Sequence, residues 1–82
     1  MADPDQAVED GIEQLIAREH ELRSHAEGRA LSEEEQAEQR ALEVRLDQLW
    51  DLLRQRRALR AAGANPEGAH IRDEDVVEHY RQ

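Results

Sequence analysis

The stretch Leu46-Asp-Gln-Leu-Trp-Asp-Leu-Leu-Arg-Gln-Arg-Arg-Ala-Leu-Arg60 begins as an apolar helical seam and ends in four arginines. Its seam starts one turn earlier: Leu42, Leu46, Leu49 and Leu53 step by 4, 3 and 4 residues. That spacing keeps one face of a helix against a neighbour. Ser32 with Glu35 three residues on is a capping box, and Glu33, Glu34 and Glu35 place acids at the positive end of the helix dipole. No breaker follows until Gly63-Ala-Asn-Pro66. The pattern therefore predicts a helix over 33–62, about 45 Å long at 1.5 Å per residue. Gly63 would be its left-handed cap, with Pro66 behind it.

Upstream, Asp3-Pro4-Asp5-Gln6 reads as another helix start, with Asp3 as cap, Pro4 at the first position and Gln6 reaching back. Val8, Ile12, Leu15, Glu19 and Leu22 step by 4, 3, 4 and 3, with Ile16 beside them, and Gly28 ends the run, predicting a helix over 4–27. A short third helix over 73–81 would present Val76, Val77 and Tyr80. Two helices joined by a short polar loop form an antiparallel hairpin. Counting outward from the loop pairs Leu22 with Glu35, Leu15 with Leu42, Ile12 with Leu46 and Val8 with Leu49. The expected fold is all-α: a single helical domain over 1–82, a coiled-coil-like hairpin with a C-terminal helix or tail. The first helix is then nearly used up. Leu53 to Arg60 would be covered only by the first few residues and by the tail, where it folds back.

Composition fits an extended shape. The 82 residues include no Phe, one Trp and one Tyr, and 38% are charged, so few bulky side chains can fill a core. Such a chain should be elongated or should gain burial by oligomerising. Cysteine is absent, which excludes disulfides, thiolate catalysis and cysteine metal sites. Apolar runs are far too short to span a membrane, and Met-Ala-Asp-Pro-Asp is no signal peptide, so a cytoplasmic protein is expected. The formal charge of −9 argues against nucleic-acid or membrane partners.

Against that acidic background the arginine run stands out. Continuing the seam from Leu53 lands on Arg56 and Arg60, with Arg57 alongside, so these arginines lie where a partner should cover them. Leu49, Trp50, Leu52 and Leu53 span roughly 160° of circumference, more than one neighbour needs, and Leu59 extends that arc. The candidate interface is thus Leu49, Trp50, Leu52, Leu53, Arg54, Arg56, Arg57, Leu59 and Arg60. Self-association into a dimeric four-helix bundle is the leading expectation. The arginines would meet Asp3, Asp5, Glu9 or Asp10 of a second copy, because planar multi-donor guanidinium suits carboxylates. An acidic surface on another protein is the second expectation and phosphate contact the third. Trp50, beside Arg54 and Arg57, would pack under their stems or serve as the hot spot.

Glu19 interrupts the first helix's apolar stripe and is the candidate buried charge, expected in an ion pair with Arg23 four residues on or with an arginine of another helix. His20, His25, His70 and His79 form no metal-ligand spacing, although His79 follows Asp75 by four residues. No catalytic residue, cofactor site or metal site emerges.

Glu19-His-Glu-Leu-Arg23, then Leu42 through Arg57, and the ending Val77-Glu-His-Tyr80 resemble a family of small actinobacterial proteins called domain of unknown function 2630. That resemblance implies a small cytoplasmic helical protein and carries no activity or binding residues with it. Arg40, Leu46-Asp47 and Arg57 are similar in order and spacing to the first helix of the all-helical chorismate mutases. Gly68 stands roughly where those enzymes need a lysine, and this chain has none. The function expected is that of a non-enzymatic interaction or adaptor protein, self-associating and docking through the Trp50–Arg60 face. The alternative is a small-anion binder or chorismate-mutase-like enzyme using Arg40, Arg45 and Arg57.

Overall fold

The structure, a computed structural model, describes residues 4–73 and Val77. Among these, two helices and a 3-10 turn are present, and no strand: α1 is Pro4–His25, α2 is Glu33–Ala61, and the turn is Pro66–Gly68. The ranges expected for the first two helices, 4–27 and 33–62, differ from these bounds by two residues and by one at their C-terminal ends. Asp3, the expected cap of α1, lies outside the described residues, and the Gln6 amide donates instead to Asp10 Oδ1 at 2.9 Å. Of the expected third helix only Asp73 and Val77 are described. The Val77 N–H donates to the Asp73 carbonyl at 3.2 Å, one helical turn, and Val77 is buried.

The ends of α2 follow from local chemistry. Ser32 Oγ accepts from the Glu35 N–H at 3.1 Å, and Glu35 Oε1 accepts from the Ser32 N–H at 2.9 Å, completing the capping box. Arg29 adds a forked pair to the same carboxylate, at 2.8 and 3.0 Å. At the other end Gly63 takes φ 76°. The Ala64 N–H then reaches the Leu59 carbonyl and the Gly63 N–H the Arg60 carbonyl, the paired bonds of a Schellman motif. The chain so turned back enters the 3-10 turn, which packs on α2.

Packing between the helices is antiparallel, closed by Arg18 on Glu38 near the loop and by Asp5 on Arg56 and Arg60 at the open end. The core joins Ile12, Leu49 and Leu53, with Val8, Leu15, Leu46 and Leu52 against it. Of the residues paired by counting, Ile12 with Leu46 and Val8 with Leu49 fall into this cluster together with Leu15, and the cluster extends a further turn to Leu53; Leu22, Glu35 and Leu42 lie outside it. Side chains tilt toward their own helix N-terminus, so in an antiparallel pair the touching residues lie farther along each chain than Cα height implies.

The tail returns along a second face of α2. Gln55 Nε2 donates to the His70 carbonyl at 2.8 Å, and Gln48 Nε2 to the Arg72 carbonyl at 3.2 Å. Within Leu53–Arg60 the start of α1 and the tail together cover Leu53 and Arg56 and partly cover Gln55 and Leu59, while Arg54, Arg57 and Arg60 stay exposed. The radius of gyration, 15.2 Å, exceeds the roughly 12 Å of a compact chain this long, as the composition implied. No helix among the described residues is long and apolar enough to cross a membrane.

With so few buried side chains, each carries a large share of the stability. Leu53, 1% exposed, is the test. Leu53→Ala should cost about 2–5 kcal/mol in urea unfolding followed by helical circular dichroism. A loss under about 1 kcal/mol would mean that Leu53 is not the centre of the core.

Candidate functional site

Four arginines within seven residues cannot share one face, because successive positions turn by 100°. Arg56 turns inward. Its side chain is 8% exposed, and its Nε donates to Asp5 Oδ1 while a terminal nitrogen donates to the Pro66 carbonyl at 3.1 Å. Glu67 stands 3.5 Å from the guanidinium. One arginine thus joins the first turn of α1 to α2 and to the 3-10 turn. The hydrogen bond that Arg56 donates to Asp5 outweighs the opposing effect of burial and holds Arg56 more firmly protonated than an ordinary arginine.

Asp5 is shared. Its second oxygen takes Arg60 at 3.0 Å, so each carboxylate oxygen faces one guanidinium. Hydrogen bonds from Arg60 and then Arg56 lower its pKa from the ordinary 3.8 to about 2. Arg57 reaches only 3.9 Å from Glu9, and both side chains are largely in solvent. The expected partners of the arginines are therefore found on the same chain, in Asp5 and Glu9. Asp10 is bonded by Gln6, and Asp3 lies outside the described residues.

This redistributes the candidate interface. Leu49, Leu53 and Arg56 are buried within the chain, and Leu52 and Leu59 are half-buried. Leu59 lies beneath the 3-10 turn, where a methyl group on Gly68 would meet its Cδ1 at 3.8 Å. Trp50, Arg54, Arg57 and Arg60 stay exposed. Trp50 remains 42% exposed, so the stems of Arg54 and Arg57 do not bury it. Ile16, at 48%, is the other strongly exposed large apolar residue of the helices.

Those two lie on one flank. The Glu9–Arg57 pair marks a place where α1 and α2 face each other. Seven residues on from Glu9 is Ile16, and seven back from Arg57 is Trp50. A seven-residue step returns to nearly the same face and climbs about 10.5 Å. Because the helices are antiparallel, both steps climb toward the loop. Ile16 and Trp50 therefore border the same side of the hairpin, away from the α2 face that His70 and Arg72 bond.

Glu19 pairs with Arg23 at 3.3 Å, as its spacing predicts, with 17% of its side chain exposed. His20, His25 and His70 are exposed, and His79 and Asp75 lie outside the described residues. Arg40 and Arg45 border one shallow groove with Ala41, Val44 and Gln48, of about 510 Å³. Arg57 stands twelve residues past Arg45, about 18 Å along the helix on a different side, so the three do not converge on one small anion. A polar seam also went unread in the sequence: Gln48, Asp51 and Gln55. Asp51, 5% exposed, accepts from Gln55 at 2.8 Å and faces Arg72 at 3.5 Å. The spacing of 3 and 4 was the available signal, set on the face next to the leucines.

Comparison with known proteins places the chain. Residues 4–82 match the sequence model of a family described as "Protein of unknown function (DUF2630)". The uncharacterised proteins Rv0898c of Mycobacterium tuberculosis and Mb0922c of Mycobacterium bovis are each 50% identical over 70 residues, covering 84% of this chain and 80% of the relative. No solved structure matches.

The Asp5 cluster yields a pH dependence. A carboxyl whose pKa is lowered on folding stabilises the fold above its ordinary pKa, and that stability is lost as pH falls toward the lowered value. Asp5, and Glu35 lowered from 4.5 to about 2 by Arg29 and by the Ser32 backbone, both act in this window. Thermal midpoints should be flat above about pH 5 and fall between about pH 4 and 2. Asp5→Asn should make that fall shallower while Glu35 retains its part. An unchanged slope would remove Asp5 from the clasp.

Proposed function

The chain belongs to the protein family of unknown function DUF2630, and we propose that it is a cytoplasmic, non-enzymatic interaction protein working through the flank of Ile16, Trp50, Arg54 and Arg57. The observation that supports this reading is the exposure of Ile16 and Trp50 on one side of the hairpin, away from the α2 face that His70 and Arg72 bond. A chain this poor in bulky apolar residues leaves its single tryptophan 42% exposed. Tryptophan and arginine are the side chains that most often dominate protein interfaces, through buried apolar area and forked hydrogen bonding. Arg54 and Arg57 border the apolar pair and suit an acidic partner surface.

The reading moves the charge-reversal test away from Arg56. A glutamate at that buried position would face Asp5 and break the clasp, so lost association would report lost fold. A benzophenone side chain placed at Arg54 in the native host should yield a photo-crosslinked protein adduct, and the same group at exposed Gln14 on the far side of α1 should yield little. Equal labelling from both positions, or none from position 54, would overturn the reading.

A further inference from the structure

We propose that the partner on this flank is a second copy of the chain, related by a two-fold axis parallel to the helices. The inference rests on reading the flank as an interaction surface, and what commits it to this occupant is the arrangement of charge around the apolar pair. Glu13 follows Glu9 by four residues and so lies about 6 Å nearer the loop, turned outward from α2. Arg54 precedes Arg57 by three and lies about 4.5 Å nearer the loop, turned outward from α1. Both are exposed, and neither side chain makes an ion pair or hydrogen bond among the described residues. The flank therefore carries an acid on its α1 edge and a base on its α2 edge, at nearly the same height, with Ile16 and Trp50 between and just loopward of them.

A symmetric dimer must place the same patch against itself, residue i on j and j on i. A two-fold axis running along the flank, parallel to the helices, exchanges left and right and leaves height unchanged. It sets α1 of each copy on α2 of the other and brings Glu13 opposite the partner's Arg54, twice, while Ile16 meets the partner's Trp50. A two-fold axis across the helices would keep left and right and reverse height, leaving both outer charges without an opposite. Either axis makes every neighbouring helix pair antiparallel, with dipoles favourably opposed, so it is the charges that select the parallel axis. The flank is about 33 Å long and about 20 Å wide, roughly 600–700 Å² per copy, near the ~800 Å² a side of a standard interface.

Light scattering on the purified full chain, over a concentration series to about 1 mM, should give twice the chain mass. Trp50→Glu and Ile16→Glu should each give a monomer of unchanged helical circular dichroism. Glu13→Arg alone and Arg54→Glu alone should each weaken association about 10-fold, and the two together should restore it, because the pairs re-form with exchanged signs. A monomer throughout the series overturns the proposal. If photo-crosslinking from position 54 still captured a different protein, the flank would remain an interaction surface with another occupant. A dimer indifferent to Trp50→Glu and Ile16→Glu, or one that the double exchange does not restore, equally overturns it.

Discussion

A single carboxylate holds the open end of this molecule. Asp5 lies in the first turn of α1, and its two oxygens face Arg56 and Arg60, one turn apart on α2. A charge as poorly exposed as Arg56 is stable only when every donor is satisfied, because losing water costs several kcal/mol per ion. Asp5 and the Pro66 carbonyl supply that satisfaction from two directions. Among the described residues no buried side-chain polar atom lacks a partner. The start of α1, the end of α2 and the 3-10 turn must therefore be in place together. Cooperativity in a fold with few buried leucines comes partly from this shared arginine.

The two faces of α2 are covered by different chemistry. Toward α1 it presents leucines, which bury area without specifying an angle or a partner. Toward the tail it presents Gln48 and Gln55, whose bonds to the Arg72 and His70 carbonyls fix where those tail residues lie, and Asp51, which faces the Arg72 guanidinium. Amide–backbone bonds are modest in net energy but costly to leave unmade once buried. The tail is thus registered by hydrogen bonds, and the hairpin by apolar packing with ion pairs at its ends. Ile16 and Trp50 stay exposed on another flank, where among the described residues only the loose Glu9–Arg57 pair links the helices.

Legibility in the sequence followed the same division. Heptad steps, the Ser32 box and Gly63 each have a local cause, so both helices could be read from the residues nearly to their ends. Glu19 with Arg23 was likewise local. The fate of the arginine run was not. Stepping along one helix shows that Arg56 lies on the seam, but whether Asp5 of the same chain or of another meets it depends on where α1 ends in space. The same limit applies to Asp51. A buried aspartate looks like any surface acid until the tail is seen to return across it.

The placement of Arg56 bears on how this small fold avoids alternatives. A hydrophobic residue there would extend the leucine seam, and replacing buried ion pairs with apolar packing is often neutral or stabilising. An unbroken seam of leucines, however, could slide by a turn or accept several partners with little change in buried area. With arginine at 56 and 60, a one-turn slip separates Asp5 from its two guanidiniums and strands a buried charge. The penalty falls on wrong registers far more than it helps the right one. By closing the seam with charge, the chain leaves the exposed large apolar residues of its two helices, Ile16 and Trp50, on a different flank.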